Sequence, residues 1–166
     1  MEAATDFRRM STRDLRLELE EIYAEYAACL DECELGKWPE LFTDQCVYKI
    51  IPRENYSRGL PLAIWLSESK GMLKDRVATI RETSMFAPRY LRHIVSGIRI
   101  KGWDDDALVV SANYLVLETL VDDLTRIFNA GVYLDRLVAE AGRLKFKEKL
   151  CVFDSIVVPN SLIYPI

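Results

Sequence analysis

His93 is the only histidine in this sequence of 166 residues, and it is the residue best suited to acid–base chemistry. It lies near the start of a predicted strand, and the apolar residues Leu91 and Val95, two positions away on either side, indicate a half-buried face. A carboxylate beside such a histidine would let it act as a general acid or base. Three acidic residues are candidates for that partner: Asp31, Asp44 and Asp154. Because the sequence does not reveal which of them meets the ring, we favour the alternative of a hydrogen-bonded histidine at a sheet edge or a subunit interface.

The residues that could bind a metal do not occur at the spacing of a metal site. The four cysteines are Cys29, Cys33, Cys46 and Cys151, and no two of them form a C-x-x-C pair. Zinc needs four well-placed ligands, a Rieske cluster needs two histidines and two cysteines, and a mononuclear iron facial triad needs two histidines and a carboxylate. One histidine cannot supply either pair. We therefore expect no catalytic centre, no metal and no cofactor in this chain, and four reduced thiols in a cytoplasmic protein.

Composition predicts one folded domain with an ordinary core. Half of the residues are apolar and 29% are charged, with a net charge of -4 and no cluster of lysine and arginine. This balance excludes a disordered chain and gives no sign of a nucleic-acid or anionic-membrane surface. The apolar runs are shorter than a membrane span, and residues 1–13 lack the apolar centre of a secretory signal. We expect residues 1–13 to be frayed, residues 1–14 to form an N-terminal lead-in and residues 15–166 to form the domain.

The first half of the chain is predicted to be mainly helical. Ser11 and Asp14 resemble a capping box, and the apolar residues that follow recur at the helical period. Those residues are Leu15, Leu19, Ile22, Tyr26 and Leu30. Further segments are a short helix at 38–42, a turn at 43–45, a strand at 47–52, a polar connection at 53–60, a strand or helix at 61–66 and a helix at 69–83.

The second half is predicted to be an antiparallel meander. Four long stretches are rich in β-branched and aromatic residues and are bounded by turn residues: 90–101, 107–119, 125–138 and 143–157. Simple alternation would place Ile94, Ile98 and Ile100 on one face and three lysines, Lys145, Lys147 and Lys149, on another. Helices followed by a meander predict an α+β domain in which the helices pack on a curved sheet and form a cone.

Two segments are suited to contacts with another chain. Residues 53–56, Arg-Glu-Asn-Tyr, are either a solvated turn or an interface anchor, since arginine and tyrosine are favoured at interface hot spots. The tail from Val157 to Ile166 is apolar, which predicts that it packs against its own sheet or a partner.

An ordered set of segments resembles the small (beta) subunits of aromatic-ring-hydroxylating dioxygenases. The segments are Trp38–Phe42, Pro52–Asn55, Glu68–Val77, Arg92–Ser96 and Pro159–Ile166. Within that family, residues 53–55, 127–131 and 160–166 are most similar to the small subunit of salicylate 5-hydroxylase. Residues 1–14 match no motif of the family.

The resemblance implies a cone-shaped α+β fold like that of ketosteroid isomerase and scytalone dehydratase (SnoaL-like). It implies a non-redox structural subunit that assembles with a large (alpha) subunit, which would carry a Rieske [2Fe–2S] cluster and a mononuclear iron. Three copies of each would form the complex, with a homotrimer of small subunits at its core, and a ferredoxin or reductase would supply electrons. It also implies that certain residues make subunit contacts rather than catalyse: Arg53, Glu54, Asn55, Arg92, His93 and Tyr164.

Two other functions stay open for the same cone. A stand-alone lyase or isomerase would use His93 as its base and would bring a carboxylate to it inside an apolar cavity. A small-ligand binding protein would share the cavity and need no base.

Overall fold

The computed structural model describes residues 6–82, 87–155 and 162–166 of the chain. Its helices are α1 (Thr12–Asp31), α2 (Arg53–Ser57) and α3 (Lys70–Glu82), with short 3-10 turns at Phe7–Arg9 and Trp38–Leu41. Its strands are β1 (Phe42–Pro52), β2 (Trp65–Ser67), β3 (Arg89–Asp104), β4 (Ala107–Leu120), β5 (Arg126–Glu140) and β6 (Arg143–Phe153). Within these ranges, no helix is long and apolar enough to cross a membrane.

The strands form one six-stranded sheet in the order β2-β1-β6-β5-β4-β3. Every neighbouring pair is antiparallel except β1 and β6, which run parallel. The connection that makes this pair parallel carries α2, β2, α3 and strands β3 to β5, so the last strand, β6, returns to lie between β1 and β5. The prediction of a mainly antiparallel sheet covered by helices on one face is confirmed.

Helix α1 supplies the apolar face that closes the cone. The five residues predicted from its periodicity, Leu15, Leu19, Ile22, Tyr26 and Leu30, are all at most 6% exposed. Each aliphatic side chain buried in this way contributes about 1.5–3 kcal/mol of transfer free energy. Ser11 caps the helix by accepting a hydrogen bond from the main-chain N–H of Asp14 at 3.1 Å.

The lead-in is more ordered than predicted. Phe7 is 3% exposed and belongs to the core, and the guanidinium of Arg8 lies 4.9 Å from the ring centroid of Trp103. The prediction of a frayed segment is therefore wrong for residues 6–10, because an aromatic anchor fixes them, and the helix start predicted at Ser11 is confirmed. Residues 1–5 lie outside the described residues.

Bulges overturn both predicted side-chain faces. At Gly97, which has a φ of +61°, the β3–β4 register shifts between Ser96 and Arg99, so Ile94 is 47% exposed whereas Ile98 is 9% exposed. In β6 the register with β5 jumps from Phe146 to Glu148, which leaves Lys147 as the extra residue. That jump turns the lysine two positions later, Lys149, into the core, where it is fully buried.

Two segments of the first half differ from prediction, and the structure decides a third, 61–66, for which strand and helix were both open. The predicted turn at 43–45 lies inside β1, at a register shift between Phe42 and Val47. The polar connection begins with the short helix α2. The segment 61–66 enters the edge strand β2 rather than a helix.

Candidate functional site

His93 on β3 meets Asp31, the last residue of α1. Its ring Nδ1 lies 2.6 Å from Oδ1 of Asp31, and its main-chain N–H donates to both carboxylate oxygens at 3.0 and 3.1 Å. The imidazole side chain has no exposed surface. Of the three predicted carboxylate partners, Asp31 is the right one. Asp44 instead pairs with Lys70 at 3.3 Å, and Asp154 with Arg53 at 2.6 Å.

The second ring nitrogen of His93 has no partner among the described residues. Nε2 is buried and accepts and donates no hydrogen bond. A carboxylate oxygen accepts hydrogen bonds, so Nδ1 of His93 donates to Oδ1 of Asp31. The burial of the whole ring also means that the side chain of His93 offers no surface to another subunit.

The inner face beside His93 carries one polar pair. Val116 lies opposite His93 on β4, and Asn129 lies opposite Val116 on β5. The hydroxyl of Tyr114 donates to Oδ1 of Asn129 at 2.7 Å. Burial raises the pKa of the Tyr114 hydroxyl, so this group stays neutral.

A buried carboxylate, that of Glu118, lies on β4 two residues beyond Val116. Glu118 has no exposed side-chain surface and accepts from Arg89 on β3 at 2.6 Å and from Arg126 on β5 at 2.6 and 2.9 Å. The two arginines offset the cost of removing Glu118 from water. This ion cluster joins three strands and was not predicted.

A second buried ion pair lies inside the cone. Nζ of Lys149 donates to Oδ2 of Asp135, its cross-strand partner, at 3.0 Å, and the hydroxyl of Tyr23 donates to the same oxygen at 2.6 Å. Aromatic rings surround the ammonium, with that of Tyr133 at 3.5 Å and that of Tyr26 at 4.4 Å. Burial raises the pKa of Asp135, and the Lys149 ammonium opposes that rise. No sequence signal marked this pair, since the bulge that turns Lys149 inward has no motif.

The predicted contact residues Arg53, Glu54 and Asn55 lie together on α2. Arg53 and Glu54 are exposed, and Glu54 pairs with Arg58 at 3.0 Å. Asn55 fixes the following loop because its side-chain amide donates to the main-chain oxygen of Leu62 at 2.8 Å. Its own main-chain oxygen accepts from the N–H of Leu60, also at 2.8 Å.

That loop and the edge strand β2 display an apolar stripe, which we call the edge surface. It consists of four alternate residues whose exposed fractions are 41%, 73%, 43% and 46%: Leu60, Leu62, Ile64 and Leu66. An open groove of about 400 Å³ adjoins Ile64 and Leu66 and is also lined by Met72 and Arg76 of α3. The alternation of leucine and isoleucine is visible in the sequence, but the pattern alone does not determine which of these side chains are buried and which are exposed.

The other predicted contact residue on a strand, Arg92, is exposed on the outer face of the sheet. It lies opposite Leu117, which in turn lies opposite Ile127. A second set of exposed apolar side chains lies beside it on β3 and continues on β5 and the β4–β5 hairpin, and is here called the hairpin surface: Tyr90, Ile94, Val121, Leu124 and Ile127. Leu124, at the tip of the β4–β5 hairpin, is 85% exposed.

The described part of the tail packs against its own chain. Ile166 is fully buried, and its main-chain oxygen accepts from the hydroxyls of Tyr26 at 2.6 Å and Tyr48 at 3.0 Å. Tyr164 is partly buried, and burial raises its pKa. Residues 157–161 of the predicted apolar tail lie outside the described residues.

The donor set of this chain does not fit an iron centre or a Rieske cluster. In residues 6–82, 87–155 and 162–166, no three histidine, cysteine, aspartate or glutamate side chains come together as a metal site. The single histidine is held by Asp31, and Cys46 and Cys151 are buried thiols. Burial raises the pKa of Cys151 to about 12 and that of Cys46 to about 11, which keeps both in the neutral form.

Comparisons with known proteins agree on one family. The family model described as ring hydroxylating beta subunit matches residues 25–160. The anthranilate 1,2-dioxygenase small subunit of Burkholderia cepacia is 34% identical over 85% of this chain and 88% of that protein. Subunit beta 1 of the terminal oxygenase component of terephthalate 1,2-dioxygenase, from a Comamonas species, is 30% identical over 86% of this chain and 93% of that protein. These relatives are subunits of oxidoreductases.

Solved structures support both the family and the fold. The crystal structure of a beta subunit from Novosphingobium aromaticivorans, assigned to an aromatic-ring-hydroxylating dioxygenase, has a TM-score of 0.82 and 36% identity over 92% of this chain and 96% of that chain. A protein of the same bacterium assigned as a scytalone dehydratase has a TM-score of 0.67 and 19% identity, with 86% and 85% of the two chains covered, which shows the fold alone. The predicted cone fold is confirmed. From the matched family model and these relatives, the chain belongs to the family of ring-hydroxylating dioxygenase beta subunits.

Proposed function

We propose that this chain is the non-redox structural subunit of a Rieske non-heme iron oxygenase that hydroxylates an aromatic acid, such as salicylate or a benzoate-like compound. The large subunit would carry the Rieske [2Fe–2S] cluster and the mononuclear iron, and a ferredoxin or reductase would deliver electrons to it. The anthranilate and terephthalate relatives support an aromatic acid as the substrate class. Three small and three large subunits would form the complex.

The edge surface is the observation that carries the proposed assembly. Four alternate large apolar side chains, three in the loop before β2 and one on β2 itself, are 41% to 73% exposed, whereas isolated exposed apolar residues are normal. The exposed charges of Arg53 and Glu54 on α2 lie just before this stripe in the chain. An apolar centre with a polar rim is the composition of a specific interface. We therefore place the large subunit on the edge surface, with Asn55 holding the loop in its binding shape.

The experiment is co-purification of tagged large subunit with variants of this chain. Leu62→Asp puts a charge in the centre of the edge surface and should weaken the complex by about thirtyfold or more, which is the scale of an interface hot spot. Leu17→Asp is the matched control, because Leu17 is 57% exposed on α1 and lies outside both apolar surfaces. Equal retention of both variants by the large subunit would refute this placement.

A further inference from the structure

Arg76 on α3 lies between the edge surface and the described part of the tail, residues 162–166, here called the tail segment. The carbon of its guanidinium lies 4.3 Å from the centroid of the Trp65 ring, and its Nη2 donates to the main-chain oxygen of Leu162 at 3.1 Å. The side chain also lines the groove beside the edge surface. One guanidinium therefore contacts both the strand at the edge of the sheet and the tail segment.

We propose that Arg76 is a positioning residue of the assembly, which couples the docking of the tail segment to the shape of the edge surface. This coupling rests on the proposed function, in which the edge surface binds the large subunit. The large subunit then binds more tightly to the form of this chain in which the tail segment is docked. By reciprocity, its binding holds the tail segment in place.

Trp65 determines where two residues of the edge surface lie. It is 8% exposed, whereas its neighbours in the chain, Ile64 and Leu66, are 43% and 46% exposed. Strand β2 has only three residues and a single neighbouring strand, β1, so its place depends on the packing of its side chains. A cation over an aromatic face is attracted most strongly by tryptophan. The contact with Arg76 thus holds the ring, and with it the two exposed side chains on either side.

The tail segment reaches β2 by a second route, through Tyr48 on β1. The hydroxyl of Tyr48 donates to the main-chain oxygen of Ile166 and accepts from its N–H, each at 3.0 Å. The ring of the same tyrosine lies 5.6 Å from that of Trp65, with the two planes at 81°. Release of the tail segment would therefore remove both of these hydrogen bonds from Tyr48 and the acceptor from Arg76, and the two side chains that pack on Trp65 would lose their support.

Hydrogen exchange followed by mass spectrometry tests the coupling on the full chain, with and without the large subunit. In the wild-type chain, saturating large subunit should slow exchange in the peptide that covers the tail segment by about fivefold or more, the lower end of coupling between two sites. Ile166→Asp places a charge where the core cannot bury it, so this variant releases the tail segment. It should bind the large subunit more weakly by the same factor, because coupling is reciprocal.

Arg76→Met keeps an unbranched side chain but removes the charge and the hydrogen-bond donor. In this variant the large subunit should lose most of its effect on exchange in the tail segment. Arg81→Met is the matched control, because Arg81 is exposed in the last turn of the same helix and lies outside the groove. The control should keep the full effect.

Tail exchange that ignores the bound large subunit in the wild-type chain would overturn the proposal, and this measurement needs no variant to fold. So would a slowing that survives Arg76→Met unchanged, because the large subunit would then protect the tail segment directly. Either result leaves the placement of the large subunit intact as long as Leu62→Asp still weakens the complex. Full retention of Leu62→Asp would instead refute that placement, and the coupling with it.

Discussion

The buried pair of Lys149 and Asp135 gives the sharpest stability prediction. Both side chains have no exposed surface, and they are joined at 3.0 Å in the middle of an aromatic cluster. Replacing one partner leaves a buried charge uncompensated, which costs about 3–5 kcal/mol, whereas replacing both by apolar groups of similar volume is often neutral or stabilising. We therefore expect Lys149→Met and Asp135→Leu to be severely destabilising alone, and the double variant to lose only about 1–3 kcal/mol, because the hydroxyl of Tyr23 is left without its acceptor.

The assay is urea unfolding of the purified chain, followed by far-UV circular dichroism. In a thermal melt of the same variants, a loss of about 3–5 kcal/mol would appear as a fall in Tm of roughly 6–20 °C for a chain of this size. Lys145→Met is the matched control on the same strand. Its ion pair with Glu140 is partly exposed and should be worth less than about 1 kcal/mol.

The pH dependence of the Lys149→Met variant follows from the same contacts. Burial raises the pKa of Asp135, and removal of the ammonium takes away the contact that opposes this rise. A carboxyl whose folded pKa lies above its unfolded value binds more protons when folded, so stability is gained as the pH falls between the two values. The deficit of Lys149→Met should shrink on acidification from neutral pH towards about pH 4, the unfolded value. A deficit no larger than that of Lys145→Met, or a double variant as unstable as the sum of the singles, would refute the reasoning.

Two further predictions concern close packing and thiol reactivity. Gly131→Ala should lower the free energy of unfolding by about 1–3 kcal/mol, because an added Cβ would lie 2.1 Å from the main-chain oxygen of Val152. Gly71→Ala is the control, because the nearest contact of its added Cβ would be at 3.6 Å. Equal urea midpoints for the two variants would contradict the close packing at Gly131. Mass spectrometry after iodoacetamide treatment of the native chain at neutral pH should find Cys33 modified first, since it is the exposed cysteine, and Cys151 protected until unfolding because its pKa is raised to about 12. Early modification of Cys151 would show that the core opens around it.

Local periodicity and turn chemistry were enough to predict α1, α3 and the meander. The apolar face of α1 was readable because its residues recur at the helical period, and the long strands were readable because turn residues bound them. The bulges at Gly97 and Lys147 were not readable, since a bulge is a register change between two strands and has no pattern within either one. For this reason the inward turn of Lys149 could not be foreseen.

The sequence allowed the residues of the candidate site to be predicted, but not how they are arranged in space. Lone His93 and three possible carboxylates could be named, but their order along the chain does not say that the end of α1 meets β3. The contact residues on α2 were named from their residue types and from the resemblance, whereas the role of Asn55 in holding Leu62 emerges only from the fold. The exposure of Leu60 and Leu62 likewise depends on which strand lies at the edge of the sheet, and the order of the strands along the chain does not determine which strand that is.

Purification of the native complex through a tag on this chain, with its mass and iron content determined together, tests the proposed assembly most directly. We predict that a larger subunit co-elutes in equal numbers, that the complex has the mass of three of each, and that the larger subunit carries iron with the absorption spectrum of a Rieske cluster. A chain that elutes alone and free of iron from its native host would contradict the assembly role.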